Sequence, residues 1–352
     1  MTFTLRPAVR EKIGLLLAIA GPSGSGKTNT AMKVARGIAN GTGRIAVIDT
    51  EAGRALHYAP KQGEKPDGER TFDFLHLDFQ PPFTPERYVE AIRACEEAGA
   101  TVIVIDSMSH EWAGEGGCSD MQMAEAERMA TDRETGNVAE WKIEAMTAPA
   151  WKKPKLRHQR MMARLIQTRS HLIFCLRAQE KIKIVKKANG KGTEIVPVGF
   201  QPICEKSFMF EMSGSFMLHP ERPGAPDYGM PHKLNAELQA IFIDGERVGD
   251  DAGKRLREWA EAGVDRPPPD RAAMLARDLT ERFDDADDAD TLAAAEADET
   301  VTKQRKWLAD KRPELSKDVE AAVMGARMRV APPAATTPPD DDWPGPATGA
   351  PA

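Results

Sequence analysis

Chemistry in this chain starts at Gly21-Pro22-Ser23-Gly24-Ser25-Gly26-Lys27-Thr28. The run fits G-x-x-x-x-G-K-[ST], a loop that cradles phosphates. Its glycines let backbone N–H groups turn toward an anion with no Cβ in the way, and a helix starting directly after adds partial positive charge. Lys27 is spaced to reach the β- and γ-phosphates and the Thr28 hydroxyl to ligate Mg²⁺, with Asn29 next at the helix start. At ordinary glycine frequency such a pattern arises by chance in roughly one chain of this length in a hundred. A carboxylate at the end of an apolar strand would complete the Mg²⁺ site, and Asp106 closes such a run, Thr101–Asp106. Ser107 follows it, so a base to activate water must come from elsewhere. Glu51, just past Ile45-Ala46-Val47-Ile48-Asp49, is the first candidate, because functional groups gather at the carboxyl ends of parallel strands. Glu111 is the second.

These groups converge only if strands and helices alternate, and the chain reads that way: α/β with a mainly parallel sheet. Expected strands are Ile13–Ala20, Arg44–Asp49, Phe72–Asp78, Thr101–Asp106 and His171–Leu176. Expected helices between them are Lys27–Ile38, with Ala31, Val34, Ala35 and Ile38 on one face, and Pro85–Ala98. Asp106 and His171 are separated by 64 residues, more than a crossover helix needs. Residues 108–150 therefore read as an inserted helical or lid segment, and Lys155–Arg169 as the crossover helix. Residues 180–199 read as a basic hairpin whose β-prone arms flank the turn Ala188-Asn189-Gly190-Lys191-Gly192. Ser207–Leu218 and Leu238–Ile243 read as late strands, and Asp251–Ala262 as a closing helix. Residues 1–265 thus form the main domain. Pro267-Pro268-Pro269 marks a linker, residues 266–329 a small helical appendage built from Asp270–Phe283 and Ala289–Met328, and residues 330–352 a disordered tail. In that tail, Asp340-Asp341-Asp342-Trp343-Pro344 is either a solvated stretch or a docking motif for a basic partner.

Bulk properties narrow the class. The net charge is −6, and all of that excess lies in residues 266–352, which hold 18 acidic and 12 basic residues. The main domain is neutral overall, so any nucleic acid must be met by a local patch. Cys95, Cys118, Cys175 and Cys204 are widely spaced with no C-x-x-C pair, which argues against a disulfide framework or structural zinc. The N-terminus lacks a signal-peptide pattern, and no apolar stretch approaches the ~20 residues that span a bilayer. A cytoplasmic protein with no membrane partner is the expectation.

The stretches AGPSGSGKTNTA, AVIDTEAGRALHY, VIVIDSMSHEWAGEGG, HLIFCLRAQEK and QPICEKSFMFEM resemble the RecA-like recombinase ATPases. They are most similar to the AAA-domain ATP-binding proteins of phages and prophages, some of which accompany or perform single-strand annealing recombination. The resemblance covers roughly residues 10–262. It implies a RecA-like core that binds ATP and Mg²⁺, with Lys27 and Thr28 as the Walker A pair, Asp106 as the Walker B acid and Glu51 as the catalytic carboxylate. Adenine over guanine rests on it, beside the absence of an N-K-x-D motif. It further implies a homo-oligomer, ring or filament, serving phage DNA recombination or replication in a host cytoplasm, with a single-strand-binding or annealing protein as possible partner. Cellular recombinases carry Asn-Gln or Gln after the strand matching His171–Leu176, whereas this chain has Arg177, which reads as a γ-phosphate sensor, a finger into a neighbouring subunit, or a surface arginine. The loop after that strand lines the single-stranded DNA path in the RecA-like fold. Here it is the hairpin, with Lys181, Lys183, Lys186, Lys187 and Lys191 as candidate DNA contacts. The basic run Trp151–Arg169 is a second candidate, and Phe200 is the nearest aromatic for base stacking.

Two other functions fit the loop: a P-loop kinase acting on a small molecule, and a nucleotide-gated module that loads a partner without DNA-stimulated hydrolysis.

Overall fold

The structure is a computed structural model that describes residues 5, 7–132, 135–186, 192–265 and 270–330. It divides into two compact units, Met1–Arg266 and Pro267–Ala352. In the first unit the order is β1 (Leu16–Gly21), α1 (Lys27–Ala39), β2 (Arg44–Asp49), β3 (Leu75–Asp78), α2 (Pro85–Glu97), β4 (Ala100–Asp106), α3 (Ser109–Ala113), α4 (Cys118–Ala130), α5 (Glu140–Met146), α6 (Lys152–Leu165), β5 (His171–Lys186), β6 (Thr193–Pro202), α7 (Phe208–Glu211), β7 (Gly214–Met217), α8 (Ala236–Ile241) and α9 (Asp250–Glu261).

The seven-stranded sheet has the order β3-β2-β4-β5-β1-β7, with β6 pairing only with β5. Every strand pairing but β5–β6 is parallel. The β1 sequence LLAIAG is buried along its whole length because helices cover both faces, which explains an apolar run without polar alternation. Leu17 and Ile19 join α1 and α9 in one core, with Phe216 and Phe242. Leu16, Ala18 and Ala20 point the other way, into a core shared with α2 and α6 that holds Tyr88, Phe174 and Phe208. Helices α1 and α9 nearly touch: a Cβ on Gly37 would stand 2.0 Å from the Asp250 carbonyl oxygen. Strand β5 lies between the strand that feeds the phosphate loop and the strand that ends in Asp106.

Several elements differ from expectation. The expected strand at Ser207–Leu218 is a short helix, α7, followed by only four strand residues in β7. Phe208 and Met209 are buried there against the core rather than alternating across a sheet. The expected strand at Leu238–Ile243 falls in α8, because the Asn235 side chain accepts the Leu238 N–H (2.9 Å) and caps a helix that buries Leu238. The core strand and the first hairpin arm form one continuous strand, β5, with hairpin pairing from Ala178↔Pro202 to Lys186↔Thr193. The insertion after Asp106 folds as α3, α4 and α5.

The second unit packs α10 (Arg271–Asp284), α11 (Ala289–Ala297), α12 (Glu299–Lys311) and α13 (Pro313–Val330) around Phe283, Leu279, Val301 and Leu308. The expected run Ala289–Met328 is broken where Asp298 caps α12 through the Thr300 N–H (2.8 Å) and where Pro313 opens α13. The Asp340–Pro344 motif lies outside the described residues.

Candidate active site

Gly21 ends the β1–β5 ladder opposite Arg177, and the chain then turns into the phosphate loop. The fully buried Ser25 closes that loop by donating its hydroxyl to the Pro22 carbonyl (2.9 Å), while Ser23 and Gly24 stay exposed on it. Gly24 and Gly26 have φ of 79° and 85°, values that side-chain-bearing residues rarely adopt. Helix α1 starts at Lys27 with no side-chain cap and no acidic residue in its first turn, so its positive end is left for an anion. The Lys27 ammonium donates to the Pro22 carbonyl (2.9 Å), and burial lowers its pKa against the opposing pull of Asp106 and Glu51. Asn29 turns away from the loop and donates its amide to the Glu69 carbonyl (2.9 Å).

Strands β2 and β4 end in register, Asp49 beside Asp106, and the β4–β5 pairing ends with Asp106 beside Cys175. That register brings the expected acid to the loop: the Thr28 hydroxyl donates to Asp106 Oδ2 at 2.6 Å. Burial pushes the Asp106 carboxyl up to about 6, even against the Thr28 bond. Among the described residues no three His, Cys, Asp or Glu side chains gather into a metal cage. A hydroxyl beside one carboxylate is instead the partial oxygen set that Mg²⁺ accepts alongside water and phosphate, so Thr28 and Asp106 fit that ion.

Glu51 reaches the same end of the sheet through a turn that its neighbour Asp49 builds. The buried Asp49 carboxylate accepts the Glu51 N–H (2.7 Å) and the Ala55 N–H (2.9 Å), and lies 3.1 Å from His76 Nε2. The Glu51 carboxylate is bracketed by cations: Arg177 Nε donates to Oε1 at 2.8 Å and Arg54 Nη1 to Oε2 at 3.2 Å. Burial raises the Glu51 pKa, but the two arginines outweigh it and hold the group below its ordinary value. Arg177 is therefore an intramolecular partner of the candidate base, and its own N–H is fixed by Ser109 Oγ (2.9 Å). Glu111 is no alternative base, because it is 1% exposed and enclosed by Cys118 (3.2 Å) and His158 (3.0 Å).

Residue-type reasoning missed three neighbours. Thr50 binds across to Asp106, Ser107 and His110, and Tyr58, raised in pKa by burial and by Asp106, brings its hydroxyl to Thr28. Thr50 sits in the strand-end pattern that marks Glu51 and was within reach of that rule. His110 and Tyr58 arrive only through tertiary packing.

Lys181 and Lys183 lie exposed on the outer part of β5, while Lys187 and Lys191 fall outside the described residues, as does the turn between the arms apart from Gly192. Lys186 closes the described pairing opposite Thr193. Ile182, Ile184 and Ile195 are more than 60% exposed, so the ribbon stands in solvent with an apolar face as well as a basic one. Phe200 packs against the core and His219 rather than standing free for stacking. In α6, Arg157 pairs with Glu86 and Arg164 is buried, so part of the basic run faces protein.

A parallel sheet ending in a phosphate loop, a hydroxyl–carboxylate pair and an ionised glutamate defines a nucleotide-binding P-loop ATPase fold. Residues 13–208 match the family described as AAA domain, which spans more than half of the chain, and the chain belongs to that family. No curated protein matches it. Among solved structures it is similar to one titled "Crystal structure of the RadB recombinase", at 16% identity and a TM-score of 0.28, covering 59% of this chain and 76% of that one. No helix among the described residues is long and apolar enough to cross a membrane.

Proposed function

We propose that this chain is a Mg²⁺-dependent ATPase that acts on single-stranded DNA in recombination or replication. The observation that carries the reading is the convergence of Lys27, the Thr28–Asp106 pair and the Glu51 carboxylate at one end of the sheet. The loop amides and the α1 N-terminus hold the phosphates, and Lys27 exchanges the Pro22 carbonyl for phosphate oxygen. Bound Mg²⁺, held by Thr28 and Asp106, supplies charge neutralisation of the phosphates. Glu51, kept ionised by its arginines, accepts the proton of a water as that water attacks the γ-phosphorus and ADP departs. Arg177 exchanges Glu51 for the γ-phosphate, which frees the carboxylate and places a cation where charge develops. The exposed lysines of the β5–β6 ribbon bind DNA phosphates without reading sequence, and assembly into a homo-oligomer is consistent with the exposed apolar side of that ribbon.

The test is ATP hydrolysis by the purified chain, with and without single-stranded DNA, beside Lys27→Ala. Hydrolysis that DNA stimulates and the variant abolishes is the expected result. Absence of hydrolysis in the wild-type chain overturns the ATPase reading, and hydrolysis indifferent to DNA overturns the DNA role alone.

A further inference from the structure

We propose that Thr50 and His110 form a positioning latch that keys the Glu51 turn to the Asp106–Ser107 turn, so that the two carboxylates of the site hold one spacing. The proposal rests on the reading of Glu51 and Asp106 as parts of an ATPase centre.

The β2–β4 ladder ends at Asp49↔Asp106, and both chains then leave the sheet. Backbone pairing alone fixes Asp49 but not Glu51. Thr50 carries the connection past the ladder. Its N–H donates to the Asp106 carbonyl (2.9 Å), and its hydroxyl oxygen accepts the Ser107 N–H (2.7 Å). The same hydroxyl lies 2.6 Å from His110 Nδ1 and 3.1 Å from the Ser107 carbonyl oxygen. With the ring nitrogen bare, the hydroxyl donates to it. With the nitrogen protonated, the hydroxyl accepts from it and donates to the Ser107 carbonyl. Either tautomer leaves the pair bonded.

His110 is a suitable anchor because its ring cannot wander. It stacks on Phe83 with centroids 4.9 Å apart and planes at 20°. The charges acting on it are Arg177, from β5, and Glu51, from the turn after β2; burial and Arg177 together lower its pKa. The imidazole is thus neutral at neutral pH and adds no cation to a site that already holds Lys27, Arg54 and Arg177. Thr50 is 6% exposed and Ser107 fully buried, so losing the hydroxyl leaves an amide without its partner and loosens the turn that presents Glu51.

A residue that merely stabilises the fold would change nucleotide affinity and melting temperature along with rate. A positioning pair lowers kcat while nucleotide affinity holds, whatever melting temperature the unpartnered Ser107 amide costs. Thr50→Val, which keeps shape and removes the hydroxyl, is expected to lower kcat for ATP hydrolysis by about ten- to a hundredfold, with ATP affinity held within about twofold. Thr50→Ser restores the rate. His110→Phe, which keeps the stack and removes Nδ1, gives a loss of similar size, and the double variant Thr50→Val/His110→Phe is no slower than the worse single one. Wild-type kcat in both single variants overturns the latch while leaving the ATPase reading in place. So does a loss that Thr50→Ser fails to rescue, or multiplicative losses in the double variant. A wild-type chain that binds ATP without hydrolysing it overturns the ATPase reading, and the latch with it.

Discussion

Glu51 answers two opposed demands. A base must be ionised, and the arginine pair keeps it so, yet the same cations stabilise its charge and make it a weaker proton acceptor. On the proposed reading, a bound nucleotide would resolve the conflict by drawing Arg177 to its terminal phosphate. Arg177→Ala is therefore expected to lower kcat by about a hundredfold or more while ADP affinity stays within about twofold, measured by steady-state hydrolysis and by titration with ADP. A rate that rises in this variant would mean that Arg177 only restrains Glu51. At this scale the sequence was legible where a residue stands in a short pattern: Lys27 and Thr28 in the loop, Asp106 and Glu51 at strand ends. Tyr58 and His110 were not, because what brings them to the site is the packing of α3 and of the short helical turn Arg54–Tyr58 against the sheet.

Among the elements, α2 and α6 are tied by a charged clamp, with Arg157 Nε donating to Glu86 Oε1 at 2.8 Å. Burial raises the Glu86 pKa, but the Arg157 hydrogen bond and charge outweigh it, so the folded value lies below the ordinary 4.5. The sign follows from linkage. A depressed carboxylate adds stability that is present above its unfolded pKa and is lost as pH falls through the folded one. Wild-type melting temperature should exceed that of Glu86→Gln at neutral pH, and the gap should close as the medium is taken below pH 4.5. A gap that stays constant with pH would remove the charged clamp from the account. Elements with one unbroken pattern were read correctly from sequence: α1 starts at Lys27 and β2 spans Arg44–Asp49 as expected. The apolar runs at 207–218 and 238–243 misled, since short buried segments carry the same residues in a strand or a single helical turn. Asn235, the cap that starts α8, was the overlooked local signal.

For the molecule as a whole, charge placement matters more than charge sum. The main domain is neutral, so the proposed DNA binding would depend on where its lysines stand, and Lys181 and Lys183 project from a ribbon continuous with the strand that carries Arg177. Replacing Lys181 and Lys183 with Ala should weaken single-stranded DNA binding and flatten its log–log salt dependence by about 0.7 for each phosphate that is no longer neutralised, read by fluorescence anisotropy across a salt series. An unchanged slope would take the ribbon out of the DNA path. The alternation of strands and helices, and with it the fold class, was legible because β1, β2, β4 and the inner part of β5 are nearly continuous apolar runs. The continuity of β5 into the ribbon was not, since its residues pass from buried at Leu176 through half-buried Arg177 and Ala178 to exposed at Gln179 with no turn residue to mark the change.

On the proposed reading, Glu51 is the base of an ATP-hydrolysing P-loop site. Single-turnover phosphate release by Glu51→Gln, with ATP binding measured on the same protein, tests it most directly. ATP affinity near that of the wild-type chain and phosphate release slower by about a hundredfold or more are the expected results. Release at the wild-type rate would contradict it.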